Sequence, residues 1–116
     1  MEMFKLYLLF QNIELARGSE MGFEVEESLQ RLVGMKGVVG GVVMTMAGET
    51  IRSTLDSITT GQVSGIMSSL VQMANDRLKD MDPDTELNLL KMRTSKHQFV
   101  VVPDTEWLLI VVMNSR

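Results

Sequence analysis

Gly37-Val38-Val39-Gly40-Gly41-Val42-Val43-Met44-Thr45-Met46-Ala47-Gly48-Glu49-Thr50-Ile51-Arg52-Ser53-Thr54-Leu55-Asp56 reads as a β-hairpin, and the rest of the chain arranges itself around it. The β-branched Val38, Val39, Val42 and Val43 suit a pleated strand better than a helix. Strict alternation puts Val38, Val42, Met44 and Met46 on one face and Val39 and Val43 on the other. A strand apolar on both sides must be covered on both sides. Ala47-Gly48 supplies the turn, because glycine reaches positive φ without a steric penalty. Thr50 to Leu55 returns as a second, more polar strand, as expected nearer a sheet edge. The glycines at 37, 40 and 41 do not form a phosphate loop: no Lys-Ser/Thr follows, and they open a strand instead of a helix. Their expected role is to let a helix pack closely on the sheet.

Upstream of the hairpin the period changes. Val25, Leu29, Leu32 and Val33 fall at i, i+4, i+7 and i+8, which predicts an amphipathic helix over Phe23 to Met35. Glu24, Glu26 and Glu27 favour its positive end; Gly34 and Gly37 end it. Residues 1–22 read as an N-terminal extension of uncertain structure, without the layout of a secretory signal.

Downstream, Thr59 and Gln62 have capping-box spacing, and Ile58 and Val63 stand where a hydrophobic staple would sit. The helix that starts there should run to about Asp80, where Asp82-Pro83-Asp84 stops it. Its apolar sector, from Val63 and Ile66 through Leu70 and Met73 to Met81, is wider than one sheet contact requires. This helix is expected to touch its own sheet and something else. Gly65 inside it suggests a close approach by another backbone. Three strands should follow, over Glu86–Thr94, His97–Val102 and Glu106–Met113. The last two are nearly continuous apolar runs and belong inside the sheet, whereas the mixed strand from Glu86 suits a margin. The order is helix, strand, strand, helix, strand, strand, strand. It predicts an α+β fold, a five-stranded antiparallel sheet with one helix on each face.

Composition narrows the function. The 116 residues suit one domain, and 45% apolar content is ordinary for a globular protein. A net charge of −4 does not attract nucleic acid or an anionic membrane surface. The absence of Cys removes thiolate sites, and one His cannot build a His-based metal cluster within a chain. No apolar run approaches the ~20 residues of a membrane span. Ser53, Asp56 and His97 could be drawn as a triad, but nothing in their spacing requires it. Asp80, Asp82 and Asp84 resemble a calcium loop in composition only, since Pro83 and the missing glycine and glutamate spoil it. No acid/base pair stands out, so no enzyme and no cofactor is expected. The eleven methionines fill a core or provide an adaptable partner surface.

The motifs, taken together, resemble the roadblock/dynein light chain family. The matching pieces are Glu24-Val25-Glu26-Glu27 with Leu29 and Arg31, Lys36 to Gly40, Ser53-Thr54-Leu55-Asp56, Thr59-Thr60 with Gln62, Asp82-Pro83, Lys96-His97, Pro103-Asp104, and Leu108 to Val111 ending at Asn114. They cover residues 23–114 in order, with Val63, Ser95 and Gln98 departing from the usual light chain. The resemblance implies a roadblock/longin-like α/β/α sandwich over residues 23–116. It also implies a homodimer acting as a non-catalytic light chain of a cytoplasmic or axonemal dynein, bound to the dynein intermediate chain on the cytoskeleton. Related roadblock proteins instead regulate small GTPases. The chain's end at Arg116, just after the last strand, looks like the shorter light chains. A margin strand with exposed backbone groups supports self-pairing, because a second copy would continue the sheet. The expected dimer contact is Ile66, Met67, Leu70, Met73, Leu87, Leu89 and Lys91, and the expected partner contact is Val25, Leu29, Leu32, Met44 and Met46.

Overall fold

The computed structural model describes residues 29–103 and 107–115. The 1–22 extension, Val25 and the acidic start of the first helix lie outside the described residues. Residues 29–33 are helical, here α1, and Gly34 closes them with an N–H donated to the Gln30 carbonyl at 3.2 Å. The strands β1 (Val38–Thr45) and β2 (Thr50–Ser53) form the hairpin, followed by the long helix α2 (Ser57–Met81). The strands β3 (Leu90–Arg93), β4 (His97–Pro103) and β5 (Trp107–Asn114) complete one antiparallel sheet in the order β2-β1-β5-β4-β3. The two most apolar strands, β5 and β4, therefore sit inside, and the two most polar, β2 and β3, form the margins, as continuous and mixed apolar patterns require.

Each face of the sheet carries its own core. On one face Leu29 and Leu32 of α1 pack with Val43, Val100, Val102, Leu109, Val111 and Met113. On the other, Val63, Met67 and Val71 of α2 pack with Val42, Met44, Val101, Leu108, Ile110 and Val112. Two glycines make this layering possible. A Cβ on Gly41 would stand 2.9 Å from Leu29 Cδ2, and one on Gly40 would stand 2.5 Å from Leu55 Cδ2 and 2.8 Å from Thr54 Oγ1. Gly48 turns the hairpin at φ +101, a conformation that favours glycine.

Four details differ from the sequence reading. Val38 packs with Val43 on the α1 side instead of with Val42 and Met44. The β1–β5 register shifts between Val38 and Gly40, and one extra residue in a strand reverses every side chain before it. Second, α2 begins at Ser57, two residues before Thr59. Asp56 is its N-cap, accepting from the Thr59 N–H at 2.8 Å and from the Thr59 hydroxyl at 2.8 Å. A carboxylate caps a helix at least as well as a threonine hydroxyl, so the earlier residue wins, and Ile58 is left exposed instead of stapled to Val63. Third, β3 is short: residues 85–89 are not strand. The β3–β4 register would set Asn88 opposite Pro103, which has no N–H to continue the ladder. Fourth, among the described residues outside its own helix turn no atom lies within 4 Å of a Cβ placed on Gly65, so the expected close approach by another backbone is not made by them.

Candidate interaction surface

The sideways position of α2 creates the surface of interest. A row of hydroxyls fixes it. Ser53 Oγ and Thr60 Oγ1 are 2.7 Å apart, and Thr50 Oγ1 and Ser64 Oγ are 3.3 Å apart. One and two turns on, Ser68 lies beside Gly48, and Gln72 Nε2 donates to the Met46 carbonyl at 3.0 Å. All of these partners belong to β2 or to the β1–β2 turn, so one flank of α2 is tied to the β2 margin. At 100° per residue the opposite flank carries Ile66, Leu70 and Met73, turned away from the β2 margin, with the buried row of Val63, Met67 and Val71 between the two flanks.

One helix cannot cover this sheet. Five strands span roughly 19 Å across, at about 4.8 Å per spacing, while a helix with its side chains is about 10–12 Å wide. With one flank of α2 tied to the β2 margin, the stretch of its sheet face beyond the buried Val101 of β4 is left as a shelf. Leu87, Leu90, Met92 and Phe99 line it, each packed on the core from one side and only partly buried. Beside it stand Ile66, 55% exposed, and Met73, 59% exposed. Among the described residues β3 closes the shelf as a sheet margin, with β4 on one side only.

Of the residues expected at a dimer contact, Leu70 and Leu87 pack half-buried against the α2-side core, and Ile66 and Met73 are exposed on α2. Met67 is not available to such a contact: at 1% exposure it is the centre of the α2–sheet core, pointing down the buried row with Val63 and Val71. Leu89 packs on the α1 side of the sheet, and Lys91 pairs with Val100, which also faces that side. Both stay at the β3 margin but away from α2. Of the residues expected to hold a partner, Leu29, Leu32 and Met44 are core residues with at most 2% exposure. Met46, in the β1–β2 turn, is only partly covered. The sequence marks Leu90, with Leu87 and Leu89, as apolar residues that the margin strand would expose, but it does not single out Met92 and Phe99. Their apolar alternation was visible, but the offset of α2 that leaves them uncovered is a tertiary fact.

The imagined catalytic and metal groupings are not assembled. Ser53 and Asp56 stand at the β2 margin, while His97 is on β4, about 14 Å across the sheet by strand spacing. The His97 ring instead lies 6.2 Å from that of Phe99, and its backbone N–H donates to Thr94 Oγ1. Among the described residues no three His, Cys, Asp or Glu side chains gather as a metal site would need. None of the described helices is long and apolar enough to cross a membrane.

The profile of the Roadblock/LC7 domain matches residues 24–114. The chain belongs to the Roadblock/LC7 family. Three solved structures share the Roadblock/LC7 fold with it. Myxococcus xanthus MglB superposes with a TM-score of 0.69 at 16% identity, over 84% of this chain and 80% of that one. A Roadblock/LC7 domain from Streptomyces avermitilis gives 0.68 at 10% identity, over 73% and 72%. An MglB in a tetrameric arrangement gives 0.67 at 11% identity, over 79% and 71%. At these identities the likeness is one of fold, and the five-stranded α+β sandwich is the Roadblock/LC7 architecture.

Proposed function

We propose that this protein is a non-catalytic adaptor that works as a homodimer, with the shelf and the β3 margin as the self-association surface. The observation that carries the reading is the exposed apolar flank of α2, Ile66 and Met73, standing beside a half-covered apolar shelf that ends in an open strand. A two-fold axis next to β3 would pair the two margins, continue the sheet into the second copy and bring the two α2 flanks together over the joined shelves. An interface of this kind reaches the order of 1,600 Å² typical of stable complexes. Self-association has a parallel in the tetrameric arrangement of one fold relative.

Two partner classes fit such an adaptor. The ordered matches from Glu24 to Asn114 favour the dynein intermediate chain, with the protein as a light chain of the motor. The named structures favour the other reading, a regulator of a small GTPase: they are MglB proteins and a Streptomyces domain, and none of the three is a dynein subunit. Calorimetry with the purified dimer separates them. One cell holds a dynein intermediate-chain segment, the other a panel of small GTPases loaded with GDP or a GTP analogue. Binding of one class, lost in Ile66→Asp, supports the adaptor reading. Binding of neither class, or equal binding by a monomeric variant, contradicts it.

A further inference from the structure

The chain has eleven methionines and no cysteine, so methionine carries all of its sulfur chemistry. The structure sorts the methionines by access. Met44 and Met67 are sealed in the α2-side core at 0% and 1% exposure. Met73 is 59% exposed and sits seven residues, two turns, from Ile66 on the same flank of α2. Across from that flank, the shelf of Leu87, Leu90, Met92 and Phe99 offers no side-chain hydrogen-bond donor. A thioether in this position is apolar, flexible and easily buried; its sulfoxide is polar and would lose its water on burial.

We propose that Met73 is an oxidation site through which a hydroperoxide sets the balance between monomer and dimer. This inference rests on the homodimer described above. In the free protomer, the peroxide transfers one oxygen to the Met73 sulfur. The O–O bond breaks, an S–O bond forms, the sulfur is oxidised by two electrons, and hydrogen peroxide leaves as water. In the dimer the same sulfur is covered. Oxidation therefore draws on the dissociated protomer and holds it there, because an unpaired sulfoxide oxygen opposes burial against the shelf. Reduction of the sulfoxide restores the thioether and with it the dimer.

The test uses the full chain in three forms: native, Met73→Leu and Met73→Gln. Leucine keeps the apolar volume and cannot be oxidised; glutamine imitates the polar sulfoxide. Each is treated with graded hydrogen peroxide, weighed by light scattering on a sizing column, and mapped by peptide mass spectrometry, with the 83%-exposed Met81 reporting the dose. Native protein should lose its dimer in step with sulfoxide at Met73 and regain it after methionine sulfoxide reductase. Met73→Leu should remain dimeric at the same dose. Met73→Gln, untreated, should dissociate roughly ten- to hundredfold more readily, the effect of one buried polar group without a partner. A native dimer that persists with Met73 fully oxidised, or a Met73→Leu dimer that dissociates equally, overturns the switch and leaves the dimer reading intact. An untreated native chain that is monomeric overturns both.

Discussion

Single residues decide where the elements start and how closely they stack. Asp56 is exposed, yet the Thr59 backbone N–H and then the Thr59 hydroxyl hold its carboxyl below the ordinary value of 3.8. A carboxyl depressed in the folded state adds stability that is present above its unfolded pKa and lost as pH falls through its folded pKa. Thermal melts of the native chain should therefore fall off below pH 3.8, and Asp56→Asn should remove that part of the fall while keeping a cap. Asp56→Ala should melt lower at neutral pH. Glycines give an opposed pair. Gly40→Ala drives a methyl into Leu55 and into the Thr54 hydroxyl, which accepts from the Gly41 N–H at 2.9 Å. Chemical denaturation should show a loss of about 1–3 kcal/mol, the usual effect of overpacking. Gly65→Ala meets nothing and removes a flexible residue from a helix, so the same measurement should show a gain of up to about 1 kcal/mol.

The existence and kind of the elements were legible because their periods are strong. Val42, Val43 and Met44 announce a strand needing cover on both faces, and the helical spacing of Val63, Met67 and Val71 announces the helix that supplies one cover. What stayed hidden came from chain-to-chain geometry. The bulge at Val38–Gly40 depends on the β5 register, the short β3 depends on Pro103 in the neighbouring strand, and the helix start falls to Asp56 because its carboxylate caps ahead of Thr59. The lateral seat of α2 is set by four side chains, Thr60, Ser64, Ser68 and Gln72, whose polar pattern reads from sequence as a solvated face. Ile66→Asp belongs to this scale. It places a charge on the outward flank and leaves the buried row intact, so it should spare the fold, as seen by circular dichroism. It should weaken self-association on the order of a hundredfold in sedimentation equilibrium.

At the scale of the molecule, a five-stranded sheet wider than a helix has one covered and one half-covered stretch on its α2 side. The family match over residues 24–114 and the fold shared with MglB agree with the architecture read from the hairpin outward. The exposed apolar flank was legible in part: Ile66, Leu70 and Met73 follow from a helical apolar sector too wide for one contact, and Leu87 from the mixed margin strand. Met67, Leu29, Leu32 and Met44 carry the apolar periods of their elements, but those periods do not say that the sheet contact uses all of their surface and leaves none for a second molecule. The account stands on the half-covered shelf being finished by a second copy. Light scattering of the native chain at micromolar concentration measures this directly. The account predicts a particle of twice the 13.0 kDa chain mass that falls to a single chain in Ile66→Asp. A native particle of 13.0 kDa, soluble and well folded, would contradict it.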